Sequence, residues 1–498
     1  MSPASTFHPS DGRQTRSQTT RSQWLFALSA ANLLFLRTWA ALLEARHIVP
    51  ASYVMIMVNV LLAACCIRLG ALLIERTRSA VVRWIGIATG AALCLVPVHA
   101  IATIYFADDV PKRNPTYLAG LLLVVAVIAS SKVRRWVFRV VIFLIPSVAI
   151  TFGNSIVNIA TYDSARWAEP QLPAVAAARA PRLVWLLFDE WDFALTFAAR
   201  RQGLRLPELD RLVNESFSAT HARPPERSTA KSVPRLVTGD WDATTGNMST
   251  HTSIFSRAKQ EGLRTAAVAW FIDYCGAFRP SLDACWNSTI DAERNSMGAT
   301  AAEMGITQVR YLFENQFRSP FGQPVGAKRQ SLDFKFNLKS ALKAVTHPGF
   351  DLVYVHFNVP HEPLFYDAAT GAHHLGEKPL IAAIKKDSTR YFDALVLVDR
   401  TVGELRRALE AAGLWDQTDM LLTSDHPYRA RHRVDGVRDD VRVPFIVRVA
   451  GSRDAVSHEQ EFYTLLAPDL LPKLRSRELR TPSDVRDWVA ARSKTASR

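Results

Sequence analysis

The stretch RLVWLLFDEWD, residues 182–192, decides the reading of this chain. A short apolar run ends on two adjacent carboxylates, Asp189 and Glu190. Strand-like runs recur downstream: LRTAAVAWF (263–271), DLVYVHF (351–357), DMLLTSD (419–425) and VRVPFIVRV (441–449). Helical spacing separates them, over LPELDRLVNES (206–216) and over STRYFDALVLVDRTVGELRRALEAAG (388–413), which stops at Gly413. Apolar strands alternating with helices predict an α/β domain with a mostly parallel sheet covered on both faces by helices. In such sheets, ligands gather beyond the carboxyl ends of the strands.

Three of these strand ends carry chemistry. The first has Asp189 and Glu190; YVHFNVPHEP (354–363) places His356, Asn358, His361 and Glu362; LLTSDHPYR (421–429) ends in Asp425 and His426. Acids and imidazoles converging on one sheet edge are hard-to-borderline metal ligands. A fourth stretch, ERSTAKSVPRLVTGDW (226–241), supplies the hydroxyls of Thr229 and Ser232. The nearby Arg223, Arg227, Lys231 and Arg235 give it charge enough to hold an anion. Taken alone it reads as a basic surface loop leading into a helix. Thr229 is expected to open that helix, so that free N–H groups face the anion.

The first third of the chain is almost continuously apolar. Five stretches approach or reach membrane-spanning length: 24–43, 52–74, 84–106, 116–131 and 136–160, the fourth being short. Arg37 and Arg68 fall inside the first two, where snorkelling or a carbonyl partner accounts for them. Residues 1–22 are polar and no small-residue cleavage site clearly follows, so the first span reads as a retained signal anchor. Arg13, Arg16 and Arg21, then Arg76, Arg78 and Arg83, then Lys132, Arg134, Arg135 and Arg139 mark the cytoplasmic segments. An odd number of spans then puts everything after residue 160 outside the cytoplasm. The expected organisation is a cytoplasmic segment (1–22), a transmembrane α-helical bundle (23–160), an Ala- and Pro-rich linker (161–180), the α/β domain (181–490) and a tail (491–498). The expected location is the inner membrane, multi-pass.

Cys275 and Cys285, in DYCGAFRPSLDACW (273–286), are the only cysteines of the exported part. An oxidising compartment favours a bridge between them, worth about 2–3 kcal/mol on the chain-entropy model; two separate buried thiols are the alternative. The formal net charge of +14 fits anionic partners, part of it being the cytoplasmic loops beside lipid. No nucleic-acid-binding module is visible.

The order of these pieces resembles the alkaline phosphatase superfamily, and most closely its sulfatase-like branch, with the membrane-bound lipoteichoic acid synthases and phosphoethanolamine transferases. TAKSVPRLVTG (229–239) is similar to the sulfatase nucleophile loop, with Thr229 where sulfatases carry the modified cysteine; TAKSVP also resembles the phosphoethanolamine transferase loop. The resemblance implies an alkaline phosphatase-like fold in which Asp189, Thr229, Asp425 and His426 surround one divalent metal ion: Mn, Zn, Mg or Ca. A second ion is left open. It implies that Glu190 is a further ligand or stands behind the ligands. It also implies that His361, with His356 as a weaker candidate, contacts substrate or a second metal. Arg227 and Lys231, read from the residues themselves, are the substrate-binding cations. In two places the chain departs from the family. Pro427 follows the Asp-His where many members have Gly, and DHPYRARHRVDG (425–436) lacks the transferases' Gly-Glu-Ser.

The expected activity is a metal-dependent transferase. It moves a phosphorus-containing head group, phosphoglycerol or phosphoethanolamine in type, from a membrane lipid to an extracytoplasmic glycan or lipid acceptor. The alternatives are a hydrolase of sulfate or phosphate esters and an inactive envelope scaffold. Thr229 speaks against formylglycine chemistry, because a threonine Cβ carries a methyl and cannot become that aldehyde.

Overall fold

The computed structural model describes residues 11–44, 49–105, 110–162, 170–172, 181–288, 300–314, 325–373, 390–436 and 439–493. The chain forms two units, Met1–Tyr162 with Met297–Pro320, and Asp163–Ser296 with Phe321–Arg498.

The first unit is helical: α1 (Asp11–Leu34), α2 (Leu36–Glu44), α3 (Pro50–Arg76), α4 (Ala80–Leu93), α5 (Leu95–Tyr105), α6 (Val110–Ala129), α7 (Ser131–Phe143) and α8 (Pro146–Ala160). A helix is the form in which an apolar segment satisfies its own backbone in hydrocarbon. Three stretches are long and apolar enough to cross a membrane: Pro50–Arg76, Ala80–Ala102 and Ser131–Ala160. The fourth expected span is present as the shorter apolar helix Asn114–Ala129. The first is divided between α1 and α2 by a turn at Phe35. Small side chains let these helices approach closely; Ala27 and Ala31 share one core with Tyr53, Ile56, Val60 and Ala64. Arg68 is buried on α3 and its Nη1 has no hydrogen-bond partner among the described residues, so neither snorkelling nor a carbonyl satisfies that nitrogen.

The second unit has strands β1 (Arg182–Phe188), β2 (Phe217–Ala219), β3 (Ala222–Arg223), β4 (Thr265–Ala269), β5 (Ala284–Asn287), β6 (Leu352–Phe357), β7 (Thr418–Ser424), β8 (Phe445–Arg448), β9 (Val456–His458) and β10 (Phe462–Tyr463). Its helices are α9 (Pro207–Val213), α10 (Thr229–Thr238), α11 (Ile254–Gln260), α12 (Tyr274–Ala277), α14 (Val325–Thr346), α15 (Arg390–Ala411), α16 (Ala467–Arg475) and α17 (Pro482–Ser493). The intervening α13 (Ala301–Glu314) lies within the range expected for this domain but clusters with the helical unit.

The main sheet runs β5-β4-β6-β1-β7-β8-β2-β9. Its first five strands are parallel, and β8 is antiparallel to both neighbours. Strands β4, β6, β1 and β7 are each buried on both faces, which is why their centres are apolar on both sides of the pleat, as in Leu183–Phe188 and Met420–Leu422. Along β1 the side chains alternate between two cores. Val184, Leu186 and Phe188 join the core that includes α14 and α15; Leu183, Trp185 and Leu187 join the one that includes α10, α11 and α16. Register sets the level at which the chain leaves each strand. Phe188 pairs with Phe357 on one side and with Ser424 on the other. Asp189, Asn358 and Asp425 therefore leave three adjacent strands at one level. The Cys275–Cys285 bridge is formed and ties α12 to β5.

Candidate active site

Asp189, Asp425 and His426 each offer a ligand atom within 4.8 Å of the others, and all three are fully buried. The strand ends hold them there. Glu190 follows Asp189 with φ 62°, in the left-handed region that glycine prefers. That turn lets its N–H donate to Asp425 Oδ1 at 3.2 Å, joining the ends of β1 and β7. Trp191 N–H donates to Ser424 Oγ at 2.9 Å, and Ser424 Oγ–H donates to His426 O at 2.8 Å.

Thr229 is the first residue of α10, with Ser228 as its extended N-cap. Its hydroxyl stands 3.1 Å from Asp189 Oδ2 and 3.2 Å from His426 Nε2. The helix is pinned beside β7, because Ser232 Oγ–H donates to Asp425 O at 2.6 Å. Val233, Leu236 and Val237 anchor its other side in the core, and Gly239 closes it with φ 74°.

The protonation pattern is set by the partners. His426 Nδ1 lies 3.0 Å from Pro427 O, which can only accept, so Nδ1 carries a hydrogen and Nε2 faces the carboxylates. Burial disfavours the charged imidazole, yet Asp425 and Asp189 raise its pKa. Burial and the neighbouring Asp189 both push Asp425 up. Burial also acts on Asp189, but the imidazoles facing it, His426 and His356 with its Nε2 3.6 Å away, hold it below the usual carboxylate range. Two carboxylates side by side in a dry site ask for positive charge. Asp189 Oδ1 and Asp425 Oδ2 have no hydrogen-bond partner among the described residues. Two free carboxylate oxygens and an imidazole Nε2 are a donor set suited to a divalent cation.

The other expected residues lie around this group. His356, on β6, is fully buried, with Nε2 3.6 Å from Asp189 Oδ2. Its Nδ1 is 2.9 Å from Tyr274 OH, which is 2.9 Å from Tyr354 OH. Burial keeps the Tyr274 phenol protonated by raising its pKa, helped by Tyr354. His361 Nε2 accepts from Arg429 Nη2 at 2.7 Å, which leaves its hydrogen on Nδ1. Trp270 sets its ring edge-on to both imidazoles, 5.4 Å from His356 and 5.5 Å from His361. Glu190 is outside the three-ligand group, and its carboxylate is engaged by the Arg429 guanidinium. Of the basic residues, Arg223 and Arg235 are occupied by Glu461 (2.9 Å) and Glu226 (2.8 Å). Arg227 and Lys231 are exposed, beside the start of α10.

Sequence reasoning missed Arg429, Tyr274 and the Ser232 tie. Arg429 was within reach, being three residues past His426 in the same stretch. Tyr274 was not, since its partner is 82 residues away and only the sheet order brings them together.

Residues 181–474 match the family model described as Sulfatase. Among solved structures, the chain is similar to a sulfatase from Pseudoalteromonas sp., at 17% identity over 60% of this chain and 69% of that one, with a TM-score of 0.42. It is also similar to a lipoteichoic acid synthase from Listeria monocytogenes (16% identity, 60% and 72% covered, TM-score 0.41). A third is a phosphonate monoester hydrolase of Agrobacterium radiobacter (14% identity, 60% and 73% covered, TM-score 0.37). No curated protein matches the chain.

Proposed function

The chain belongs to the sulfatase family, and from that premise we propose that it is a membrane-anchored phosphotransferase whose nucleophile is Thr229. The observation that carries this reading is the place of the Thr229 hydroxyl, at the start of α10 and within hydrogen-bond reach of Asp189 and His426. Formylglycine chemistry needs Cys or Ser there. A threonine keeps its hydroxyl, which suits attack on phosphorus.

Asp189, Asp425 and His426 would hold a divalent cation, with Thr229 as a further donor; such a cation lowers the pKa of a bound hydroxyl and neutralises charge on phosphoryl oxygens. Asp189 Oδ2 accepts the Thr229 hydrogen in the resting geometry. The Thr229 oxygen then bonds to phosphorus while the bond from phosphorus to the lipid oxygen breaks. The departing oxygen takes a proton from His356 in its imidazolium form through Nε2, while His361, neutral with its hydrogen on Nδ1, donates a hydrogen bond to a phosphoryl oxygen. Arg429 fixes the His361 ring, and Tyr274 fixes that of His356. The free N–H groups at the start of α10, with Arg227 and Lys231, face the anionic group. An acceptor hydroxyl then displaces Thr229 from phosphorus, giving its proton to the His356 imidazole, while the Thr229 oxygen takes its own proton back from Asp189.

The donor in this reading is a phospholipid of the phosphoglycerol or phosphoethanolamine kind, and the acceptor an extracytoplasmic glycan or lipid. The apolar helices support a multi-pass inner-membrane location. The charge bias of their loops supports five spans with the sheet domain outside the cytoplasm. The test is to incubate the purified full chain in vesicles with head-group-labelled phospholipid and Mn²⁺, with and without an acceptor lipid. The expected result is label on the acceptor and, in its absence, a phosphorylated Thr229 peptide by mass spectrometry. Release of label to water alone would make it a hydrolase. No label movement under any metal would overturn the enzymatic reading.

A further inference from the structure

α13 is encoded between β5 and α14, two elements of the sheet domain, yet it belongs with the membrane helices. Its contact with α3 is built from paired polar groups. Asn59 Nδ2 donates to Gly305 O and to Gln308 Oε1, both at 3.0 Å. Gln308 Nε2 donates to Ser52 O at 2.9 Å, and Ser52 Oγ–H points to Met304 Sδ at 3.7 Å. Ser52, Asn59, Met304 and Gln308 are all buried. The Met55 side chain lies over Gly305, its Cε 2.6 Å from where a Cβ would stand. An amide within an otherwise apolar spanning helix is costly unless another segment satisfies it. Asn59 finds its partner 249 residues later in the chain.

This contact decides what is left over. Positions 304, 305 and 308 form the stripe against α3. Ile306 and Val309 face elsewhere, at 60% and 37% exposure, and Glu303 and Thr307 lie along a third edge. A helix with an apolar edge beside a polar one has the amphipathicity of an element lying at a membrane interface. The α3 segment it grips is flanked by outward Val54, Leu61 and Leu62, each more than 40% exposed on a helix apolar enough to span. The apolar surface of α13 therefore continues the lipid-facing surface of α3.

We infer that α13 is a bilayer-seated arm inserted into the sheet domain's sequence, and that Ile306 and Val309 have lipid acyl chains as their partner. The inference rests on membrane anchoring and not on the Thr229 chemistry. To test it, the full chain carries Cys65, Cys66 and Cys94 replaced by alanine, and single cysteines are introduced by Leu62→Cys, Ile306→Cys or Val309→Cys. Each is labelled with an environment-sensitive NBD fluorophore in phosphatidylcholine vesicles, with or without doxyl-labelled phosphatidylcholine. All three positions should emit in the blue and lose at least half their intensity to the doxyl lipid. Water-like emission at 306 and 309, with position 62 quenched, overturns the inference while leaving the spanning helix in place. Blue emission that the doxyl lipid does not quench means that protein, such as a second copy, covers the face, and overturns it equally. Asn59→Leu removes the donor to Gln308 Oε1 and Gly305 O, so it should move the labels at 306 and 309 toward water-like emission and leave position 62 unchanged. No movement there would overturn the role of the amide pair in seating the arm.

Discussion

The two ends of the central strands treat buried charge in opposite ways. At the starting end, Arg182 on β1 donates to the carbonyls of Phe350 and Val345 at 2.9 Å and of His347 at 3.0 Å. Arg448 on β8 does the same for Thr418 at 2.9 Å and Trp415 at 3.1 Å. The buried carboxylates there each have an arginine at 3.6 Å, Asp351 with Arg475 and Asp419 with Arg477. At the finishing end, Asp189 and Asp425 have each other and two imidazoles, and no arginine within ion-pair distance of either among the described residues. The first arrangement closes its charges within the protein. The second leaves a negative site whose completion must come from outside, which is the mark of a ligand centre.

The sharpest way to break this comparison is Thr229→Ala. It should lower turnover by more than about a thousandfold, as losing a nucleophile does, while the melting temperature barely moves. Near-normal activity would remove the mechanism. At the other end, Arg182→Ala strands three buried carbonyls and should cost about 3–5 kcal/mol of stability. It should leave the activity of the folded fraction intact, as thermal unfolding and a per-folded-molecule rate will show. Asp425→Asn should weaken Mn²⁺ or Zn²⁺ binding by at least about 10–100-fold in calorimetry. In the chelator-treated protein the same change should raise the melting temperature, because one of two like charges is gone. A fall there would mean that the carboxylates are not repelling each other.

A smaller effect concerns pH. Burial pushes Asp419 up to about 6, against about 4 unfolded. Its folded pKa is the higher one, so its contribution to stability is fully present below pH 4 and is lost as pH rises through 6. Relative to Asp419→Asn, the parent chain should lose up to about 2–3 kcal/mol between pH 4 and pH 7. Equal pH slopes for the two proteins would show that Arg477 and Arg448 compensate the charge fully.

Much of this was legible in the sequence, for a physical reason. A strand buried on both faces has an apolar centre, so β1 was read at 182–188 with the bounds the structure has, and β7, apolar at Met420–Leu422, within one residue. What such a strand carries at its end stands out against that run, which is how Asp189, Asp425 and His426 were found. Residues that work through a distant partner stayed invisible. Nothing in the sequence around Tyr274 announces His356, and the polar letters of α13 look like those of any surface helix until Asn59 is set beside them. Glu190 was left open between a ligand and a group behind the ligands. Its adjacency to Asp189 does not separate the two; its backbone turns at φ 62° and its carboxylate meets Arg429. The five-span count rested on hydropathy alone, which does not register the turn that splits the first stretch at Phe35.

The shared register of β6, β1 and β7 also governs which changes of length this chain can survive. One residue inserted into β1 would carry Asp189 forward by about 3.3 Å and turn it to the opposite face. No substitution elsewhere could restore its alignment with Asp425. Between β5 and α14, by contrast, the chain already accommodates an entire extra helix without disturbing the pairing of β4 with β6. Relatives of this protein should therefore differ freely in the length of that crossover, while the three central strands keep their residue count even where every apolar letter in them has been exchanged.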